Sequence, residues 1–246
     1  MSDKIKQFFC EREEAANEMA RDARFQEQSR TWFESSIRHQ YSYNFTWMGR
    51  PIIQYPQDIV AMQELIWKTR PDVIVETGVA HGGSLILYAS LLQMLGDNGR
   101  VLGIDIDIRD HNRQAIESHP MGRYIDLLEG SSVSEEILRQ VGDYVKDKRR
   151  VSVVLDSNHT HDHVLQELQL YSPLVSPGCY LVVFDTIVED LPAETSANRP
   201  WEPGNNPKTA VHEFLRNDDS FEIDYRIQNK LMLTVAPDGF LRKVGG

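Results

Sequence analysis

Three polar side chains that follow two apolar, strand-like runs could bind a metal ion and move a proton. Asp156 follows the run 151–155, His159 comes three residues later, and Asp185 follows the run 179–184. The carboxyl ends of neighbouring parallel strands meet at one edge of a sheet, so both carboxylates would point into one cleft. Paired carboxylates suit a hard cation such as Mg²⁺, which lowers the pKa of a bound hydroxyl. His159 is placed to take the hydroxyl proton as a general base.

A glycine-rich turn earlier in the chain indicates a nucleotide site. The residues concerned are Glu76, Gly78, Gly82, Gly83, Ser84 and Asp105. Dinucleotide folds carry Gly-x-Gly-x-x-Gly against a pyrophosphate, whereas this chain has Gly78-x-x-x-Gly82-Gly83. Glu76 would repel a diphosphate but suits an amino group, and Asp105 can accept hydrogen bonds from both ribose hydroxyls. The pattern favours S-adenosylmethionine (SAM), which contains an amino group and a ribose but no phosphate. The alternative is that the glycines serve packing alone.

The adenine side of this predicted site is less specific. The run 124–128 is followed by Glu129-Gly130-Ser131-Ser132, and Ser131 is predicted to contact the adenine. A simple helix N-cap by Ser132 or Ser134 explains the same residues equally well. Asp156 would lie beside the cofactor and is therefore predicted as a cofactor contact as well as a metal ligand.

A second metal chemistry competes for the same histidine. The run His159-Thr160-His161-Asp162-His163 is interpreted as a fairly specific match to the His-x-His-x-Asp-His zinc motif of metallo-β-lactamase-fold hydrolases. That fold needs further metal-binding histidines downstream, and only His212 follows. The plain interpretation of His161 and His163 is that they face solvent in the first turn of a helix.

The composition limits the class of protein. A chain of 246 residues is most simply one large domain. Its net charge of −11 argues against nucleic acid as the main partner. Cys10 and Cys179 have no partner at motif spacing, which fits a reduced, cytoplasmic setting. The polar N-terminus indicates no signal peptide, and no apolar run approaches the roughly 20 residues of a membrane span.

Alternating strand and helix patterns predict how these residues are positioned. Strands are predicted at 73–76, 101–105, 124–128, 151–155, 179–184, 221–227 and 231–235. Helices are predicted at 58–69, with Asp58 as N-cap, and at 84–95, 110–118, 133–146, 161–172 and 208–216. Repeated βα units predict an α/β, Rossmann-like fold with a mostly parallel seven-stranded sheet. The last two patterns predict a C-terminal antiparallel hairpin.

Two segments outside the alternating pattern suggest additional roles. Residues 1–57 are predicted as an N-terminal helical and aromatic extension that covers the active site or contacts another copy, and a homo-oligomer is expected. The alternative is that its helices form a solvated cap with neither role. Residues 58–246 would form the methyltransferase domain. The loop 198–207 is rich in Trp and Asn, which suits sugar binding, although an ordered surface loop is the alternative.

Several stretches together carry a resemblance to a known family. They are Trp47-x-Gly49, Pro56-x-Asp58, Arg70-Pro71, Val75-Glu76-x-Gly78, Gly103-Ile104-Asp105-x-Asp107, Asp156-x-x-His159 and Tyr180 to Asp185. The chain resembles the cephalosporin hydroxylase family, whose members have a class I methyltransferase fold. The glycine turn is common among methyltransferases, whereas its combination with Asp156-x-x-His159 is much more specific.

The resemblance implies metal-dependent O-methylation with sugar hydroxyls as common acceptors, as in the similar macrolide and rhamnosyl O-methyltransferases. It implies Asp156 and Asp185 as metal ligands and His159 as the base. Related enzymes often have Glu-Asp where this chain has Phe184-Asp185. The missing carboxylate leaves three possibilities: a weaker site, a site that recruits another acid such as Glu189, or no site.

Two other functions stay open at this point. An iron oxygenase related to a hydroxylase would use His159 and the aspartates, although the chain has no haem or flavin motif. A protein that binds SAM without catalysis is the third interpretation. Formation of S-adenosylhomocysteine (SAH) would separate the methyltransferase from both.

Overall fold

The computed structural model describes residues 2–245 and is organised around a seven-stranded sheet. The strands are β1 Thr46–Trp47, β2 Arg50–Pro51, β3 Val73–Thr77, β4 Arg100–Asp105, β5 Ile125–Glu129, β6 Val151–Leu155, β7 Tyr180–Val183, β8 Phe221–Ile223 and β9 Phe240–Lys243. The helices are α1 Asp3–Arg21, α2 Ala23–Arg38, α3 Pro56–Thr69, α4 Gly83–Leu95, α5 Asp110–Glu117, α6 Glu135–Val145, α7 His161–Tyr171, α8 Pro207–Asn217 and α9 Tyr225–Leu231.

The order of the strands creates a cleft in the middle of the sheet. The order is β5-β4-β3-β6-β7-β9-β8, and the pairs from β5 to β7 are parallel. The chain moves outward from β3 to β5 and then returns to place β6 beside β3. Ligands of such sheets bind outside the carboxyl ends of the strands at this reversal. The small antiparallel pair of β1 and β2 lies outside the main sheet.

Alternating side chains of the parallel strands build two apolar layers, because successive residues of a strand point to opposite faces. Ile74 and Val154 pack on the face covered by α3 and α4. Val73 and Val153 pack on the opposite face with side chains of α6, α7 and α8. The continuous apolar runs of the sequence therefore reflect strands buried on both faces.

The predicted fold class is confirmed, but the last strand lies later in the chain than predicted. β9 pairs antiparallel with β7 and β8, as a C-terminal antiparallel pair requires. The predicted strand 221–227 ends at Ile223, because the chain continues as α9 from Tyr225. The prediction of a strand at 231–235 is wrong, because α9 ends at Leu231 and the segment after it is irregular. Residues 240–243 take the strand position, where Phe240 and Leu241 are completely buried.

The prediction of Asp58 as an N-cap is also wrong. The helix begins at Pro56 with Tyr55 as N-cap, and Asp58 lies fully buried in its first turn. Its carboxylate accepts hydrogen bonds from the Thr234 hydroxyl and from the Val235 amide, the latter at 3.1 Å. Asp58 therefore ties α3 to the irregular segment after α9, a contact between distant parts of the chain.

Asp58 should make folding stability depend on pH. Burial raises the pKa of Asp58 to about 7, whereas an aspartate in an unfolded chain has a pKa of about 3.9. Between these values the folded state holds one more proton, so this group lowers the free energy of unfolding as pH rises. Asp58→Asn should therefore gain stability relative to the wild type across this window.

Urea unfolding at about pH 5 and about pH 8 measures this effect. The variant's advantage should be larger at the higher pH. Asp3→Asn removes an exposed carboxylate from the first turn of α1 and serves as the matched control. A stability difference that does not change with pH would contradict the role of Asp58.

The N-terminal residues attach to the rest through aromatic contacts. Phe33 of α2 stacks on Tyr55, with ring centroids 4.7 Å apart, and the Tyr55 hydroxyl lies 2.6 Å from Ser36 Oγ. Trp47 of β1 donates a hydrogen bond to Ser90 of α4. In residues 2–245, none of the helices is long and apolar enough to cross a membrane.

Candidate active site

A cavity of about 770 Å³ opens at the carboxyl ends of β3, β4, β5, β6 and β7. The predicted site residues that line it are Gly78, Asp105, Ser131, Asp156, His159 and Asp185. A smaller adjoining cavity is lined by Gly78, Gly83, Ser84 and Asp156, among others. The strand order therefore brings most of the predicted residues into one continuous cleft.

Asp156, His159 and Asp185 form a compact cluster of possible metal ligands. One donor atom of each lies within 4.8 Å of the others. Nδ1 of His159 is 3.3 Å from Oδ2 of Asp185. Asp156 follows β6 directly, and its amide donates to the Thr77 carbonyl of β3 at 2.9 Å. Among residues 2–245, this cluster is the one group of three or more such side chains with that spacing.

The electrostatics of the cluster favour a bound cation. Burial and the nearby carboxylates of Asp185 and Glu76 raise the pKa of Asp156 well above its usual range. Asp156 is enclosed by the protein except where it faces the cavity. Within the described part of the chain, no Lys or Arg forms an ion pair with either aspartate. A divalent cation would supply the missing positive charge, so these residues fit the metal that the sequence predicts.

The glycine turn allows close backbone approach at two points. Gly78 has φ +95°, and a Cβ there would lie 2.0 Å from the carbonyl oxygen of Asp156. A Cβ on Gly83 would lie 2.1 Å from the carbonyl oxygen of Pro51. Gly82 has φ +78° and caps α4, but it lines neither cavity. For Gly82 and Gly83 the structure supplies a packing reason, and their cofactor contact stays a prediction.

Two side chains that the sequence did not single out hold the glycine turn in place. Arg50 donates to the His81 carbonyl at 2.9 Å and to Asn112 Oδ1 at 3.1 Å. Asn112 donates in turn to the Ala80 carbonyl. Ala80 has a positive φ of 44°, so these contacts stabilise a strained turn.

Glu76 lies fully buried behind the turn, lines neither cavity and has one carboxylate oxygen without a hydrogen bond. Ser84 Oγ donates to Glu76 Oε2 at 2.7 Å, whereas Oε1 has no hydrogen-bond partner. Burial raises the pKa of Glu76 to about 8. The Tyr88 hydroxyl interacts with both Glu76 and Gln54, but neither it nor the amide atoms of Gln54 form a hydrogen bond of ordinary geometry. Unpaired buried polar groups are costly, so this cluster is suited to a polar ligand group.

Gln54 is a candidate site residue that sequence reasoning missed. It is 3% exposed and lines both cavities. A single amide inside the run Pro51-Ile52-Ile53-Gln54-Tyr55-Pro56 is the signal that could have indicated it. Tyr43 also lines the larger cavity, so residues before α3 contribute directly to the site.

Asp105 and Ser131 reach the cavity from β4 and from the end of β5. Asp105 Oδ2 accepts the Val79 amide at 2.8 Å, and Oδ1 accepts the Asp107 amide at 3.1 Å. Asp105 therefore supports the glycine turn in addition to facing the cavity. Ser134 provides the N-cap of α6, which leaves Ser131 available at the cavity wall.

The histidine run does not converge on one metal. It lacks the residue that the zinc motif places between the second histidine and the aspartate, since Asp162 follows His161 directly. His161 contacts Thr209 at 2.8 Å and Glu213 at 3.3 Å, which ties α7 to α8. His163 lies 3.2 Å from Ser132 and 3.4 Å from the buried Glu167. Both side chains are thus partly buried and hydrogen-bonded, and their interpretation as solvent-facing residues is wrong.

At the end of β7, Phe184 takes the place of the acid that related enzymes often have before the aspartate. Phe184 is 1% exposed and packs in the core. Glu189 does not replace a missing ligand, because its Oε2 accepts the Gly204 amide at 2.7 Å and also binds Asn206. Asp185 has φ +55°, which turns its backbone sharply after the strand. His159 lies close to both aspartates, and the described residues place no further acid in this cluster.

The strand order and the site at its reversal are those of a class I SAM-dependent methyltransferase. A structure of CmcI with Mg and SAM shares this fold, with TM-score 0.58 and 21% identity over 82% of this chain and 78% of that chain. Residues 39–244 match the family model described as Rhamnosyl O-methyltransferase/CmcI, and the chain belongs to this family.

Two named relatives support the same assignment. The rhamnosyl O-methyltransferase of Mycobacterium bovis is 30% identical over 206 residues, which are 80% of this chain and 77% of that protein. The rhamnosyl O-methyltransferase of Mycobacterium leprae is 28% identical over 203 residues, with 80% and 82% covered. The predicted family resemblance and O-methyltransferase class are confirmed.

Proposed function

We propose that this chain transfers the methyl group of SAM to a hydroxyl of a sugar or a sugar-bearing natural product, with a divalent cation at Asp156 and Asp185. The observation that carries the proposal is the convergence of Asp156, His159 and Asp185 in the cavity that the glycine turn borders. The names of the mycobacterial relatives support a sugar acceptor, and the CmcI structure with Mg and SAM supports both cofactors.

Each residue of the site would have a separate role in the reaction. Asp156 and Asp185 would hold the cation, which would lower the pKa of the acceptor hydroxyl. His159 Nδ1 faces Asp185 Oδ2, which orients the ring and leaves Nε2 to accept the hydroxyl proton. The carboxylate of Asp185 then stabilises the protonated ring. The methyl group passes from sulfur to oxygen, and holding both reactants in line supplies much of the rate.

The cofactor would occupy the side of the cleft next to β3 and β4. Glu76 Oε1 and Gln54 would bind the polar methionine end, because both lie buried without partners. Asp105 would accept hydrogen bonds from the ribose, and Ser131 would contact the adenine. Gly78 borders both cavities, and its missing side chain makes room for the Asp156 carbonyl group.

The competing functions fit this ligand set less well. Non-haem iron oxygenases use two histidines and one carboxylate, whereas this cluster has one histidine and two carboxylates. A zinc hydrolase would need His161 and His163, which point to Glu213 and Glu167 instead.

Formation of SAH tests the proposed function. The protein is incubated with SAM, Mg²⁺ and a panel of free sugars, glycosides and glycosylated natural products, and products are identified by mass spectrometry. Methylation of a sugar hydroxyl is the expected result. A methyl group found on nitrogen or carbon would contradict the proposal.

Glu76→Gln should weaken SAM binding about tenfold or more, because it removes the charge that pairs with the amino group. Since burial raises the pKa of Glu76 to about 8, SAM binding below that pH must displace a proton. Affinity of the wild type should therefore rise between about pH 6 and about pH 7.5, and that rise should be lost in the variant.

Isothermal titration with SAM measures both effects. Glu129→Gln is the matched control, because Glu129 also ends a strand but pairs with Arg113 at 2.7 Å outside the cavity. Equal SAM affinity of the wild type and Glu76→Gln would rule out this role of Glu76.

We further propose that residues 1–57 cover the site or contact another copy, and that the chain acts as a homo-oligomer. Phe8 and Phe9 of α1 are more than half exposed, which supports a contact surface there. We also propose a cytoplasmic setting, which the two free cysteines Cys10 and Cys179 support.

A further inference from the structure

The acceptor side of the cavity carries a cation with no acidic partner. Arg109 and Arg199 are the two arginines in the cavity wall. Arg109 lies 4.0 Å from the Asp107 carboxylate. Within residues 2–245, Arg199 forms no ion pair with any carboxylate at that distance, although the chain has 37 acidic residues. The Arg199 guanidinium instead lies over the Trp201 ring, with Cζ 5.4 Å from the ring centroid.

Trp201 connects this cation to the proposed base. The rings of His159 and Trp201 meet edge to face, with centroids 4.7 Å apart. All three side chains line the same cavity. A sugar whose hydroxyl faces His159 would therefore extend past Trp201 towards the guanidinium.

The loop that presents Arg199 is anchored to the fold. The Arg199 amide donates to the Ser196 carbonyl at 2.8 Å, and Asn205 Nδ2 donates to the Pro200 carbonyl at 3.0 Å. Glu189 accepts the Gly204 amide. Asn206, completely buried, forms a capping box at the start of α8. These contacts fix the backbone of the loop, and the Arg199 side chain, which is exposed, contacts the Trp201 ring from it.

We propose that the acceptor is an anionic sugar whose carboxylate or phosphate group binds Arg199 while its hydroxyl faces His159. The planar guanidinium offers two parallel donors that match either anion. Its contact with Trp201 favours the cation in this place. This inference rests on the proposed function, because it defines the substrate class of the same site.

Binding of three related sugars tests the inference. Glucuronic acid, glucose 6-phosphate and glucose are titrated by NMR into the protein with Mg²⁺ and SAH. At least one anionic sugar should bind about tenfold more tightly than glucose, as expected for one charge-assisted contact. The comparison of the two anions identifies the preferred group, and the preference should weaken as salt increases.

Arg199→Gln should remove this preference and leave binding of glucose and SAH unchanged. Arg216→Gln is the matched control, because Arg216 is an exposed arginine of α8 outside the cavity. Circular dichroism verifies that both variants are folded. Equal binding of charged and neutral sugars, or a preference that persists in Arg199→Gln, would overturn the inference.

Methyl transfer to the same three sugars separates this inference from the proposed function. Anion preference that depends on Arg199, without SAH formation from any of these sugars or from the wider acceptor panel, would contradict methyl transfer and retain the anion site. Methylation of glucose with no preference for charged sugars would retain the methyltransferase and refute the anion site.

Discussion

His159→Ala should slow methyl transfer by about 10²- to 10⁴-fold, the contribution of a positioned general base. The imidazole lies 3.3 Å from Asp185 and lines the cavity, so alanine removes the side chain that is proposed to accept the hydroxyl proton. The cofactor contacts proposed for Glu76 and Asp105 lie on the other side of the cleft. Binding of SAM should therefore change little.

Initial rates of SAH formation and isothermal titration with SAM separate the two effects. His212→Ala is the matched control, because His212 pairs with Asp238 at 3.0 Å and lies outside the cavity. Loss of turnover with retained SAM binding is the expected combination. If His159→Ala turned over acceptor at the wild-type rate, the assignment of the base would be wrong.

Asp156→Asn should reduce activity at least about 10²-fold, because a neutral amide replaces one of two anionic ligands of a hard cation. Removal of metal from the wild type with EDTA should inhibit to a similar extent, and added Mg²⁺ should restore activity. The variant should respond poorly to Mg²⁺ at concentrations that saturate the wild type.

Stability measurements distinguish this loss from unfolding. Burial and neighbouring carboxylates raise the pKa of Asp156, so the metal-free variant should be at least as stable as the metal-free wild type at neutral pH. Asp162→Asn is the control, because Asp162 is exposed in the first turn of α7 and lies outside the cavity. Full activity of the wild type in EDTA would refute the proposed metal.

The combination of the two proposed cofactors explains why the acids of this site tolerate burial. Glu76 and Asp156 both lie in an environment that raises their pKa. The amino group of SAM and a divalent cation would each supply the positive charge that the protein itself does not place there. Binding of either ligand should then favour the ionised form of its carboxylate and help the other acid through reduced repulsion.

Local patterns in the chain were enough to predict the parallel strands and the acids that follow them. β6 spans Val151–Leu155, as predicted, and Asp156 comes directly after it. A strand and the turn that follows it are contiguous in the chain. The position of an acid after a strand can therefore be predicted from the local sequence alone. Once the βα repeat predicts a parallel sheet, Asp156, His159 and Asp185 must approach the same edge.

Contacts between distant segments decided the remaining features. Asp58 binds Thr234, β9 forms at Phe240–Lys243 instead of 231–235, and Gln54 enters the cavity from the N-terminal side. Each of these features depends on which apolar surfaces pack together, and local sequence patterns do not predict that packing.

The contact of His159 with Trp201 and the position of Arg199 in the cavity also depend on packing between distant segments. The loop 198–206 is placed by Glu189 and by the cap of α8, so its side chains reach the base only when the helices have packed. Sequence therefore defined the proposed reacting groups, because they sit at fixed positions after strands. Tertiary packing defined the walls of the acceptor site, because those walls come from segments that are far apart along the chain.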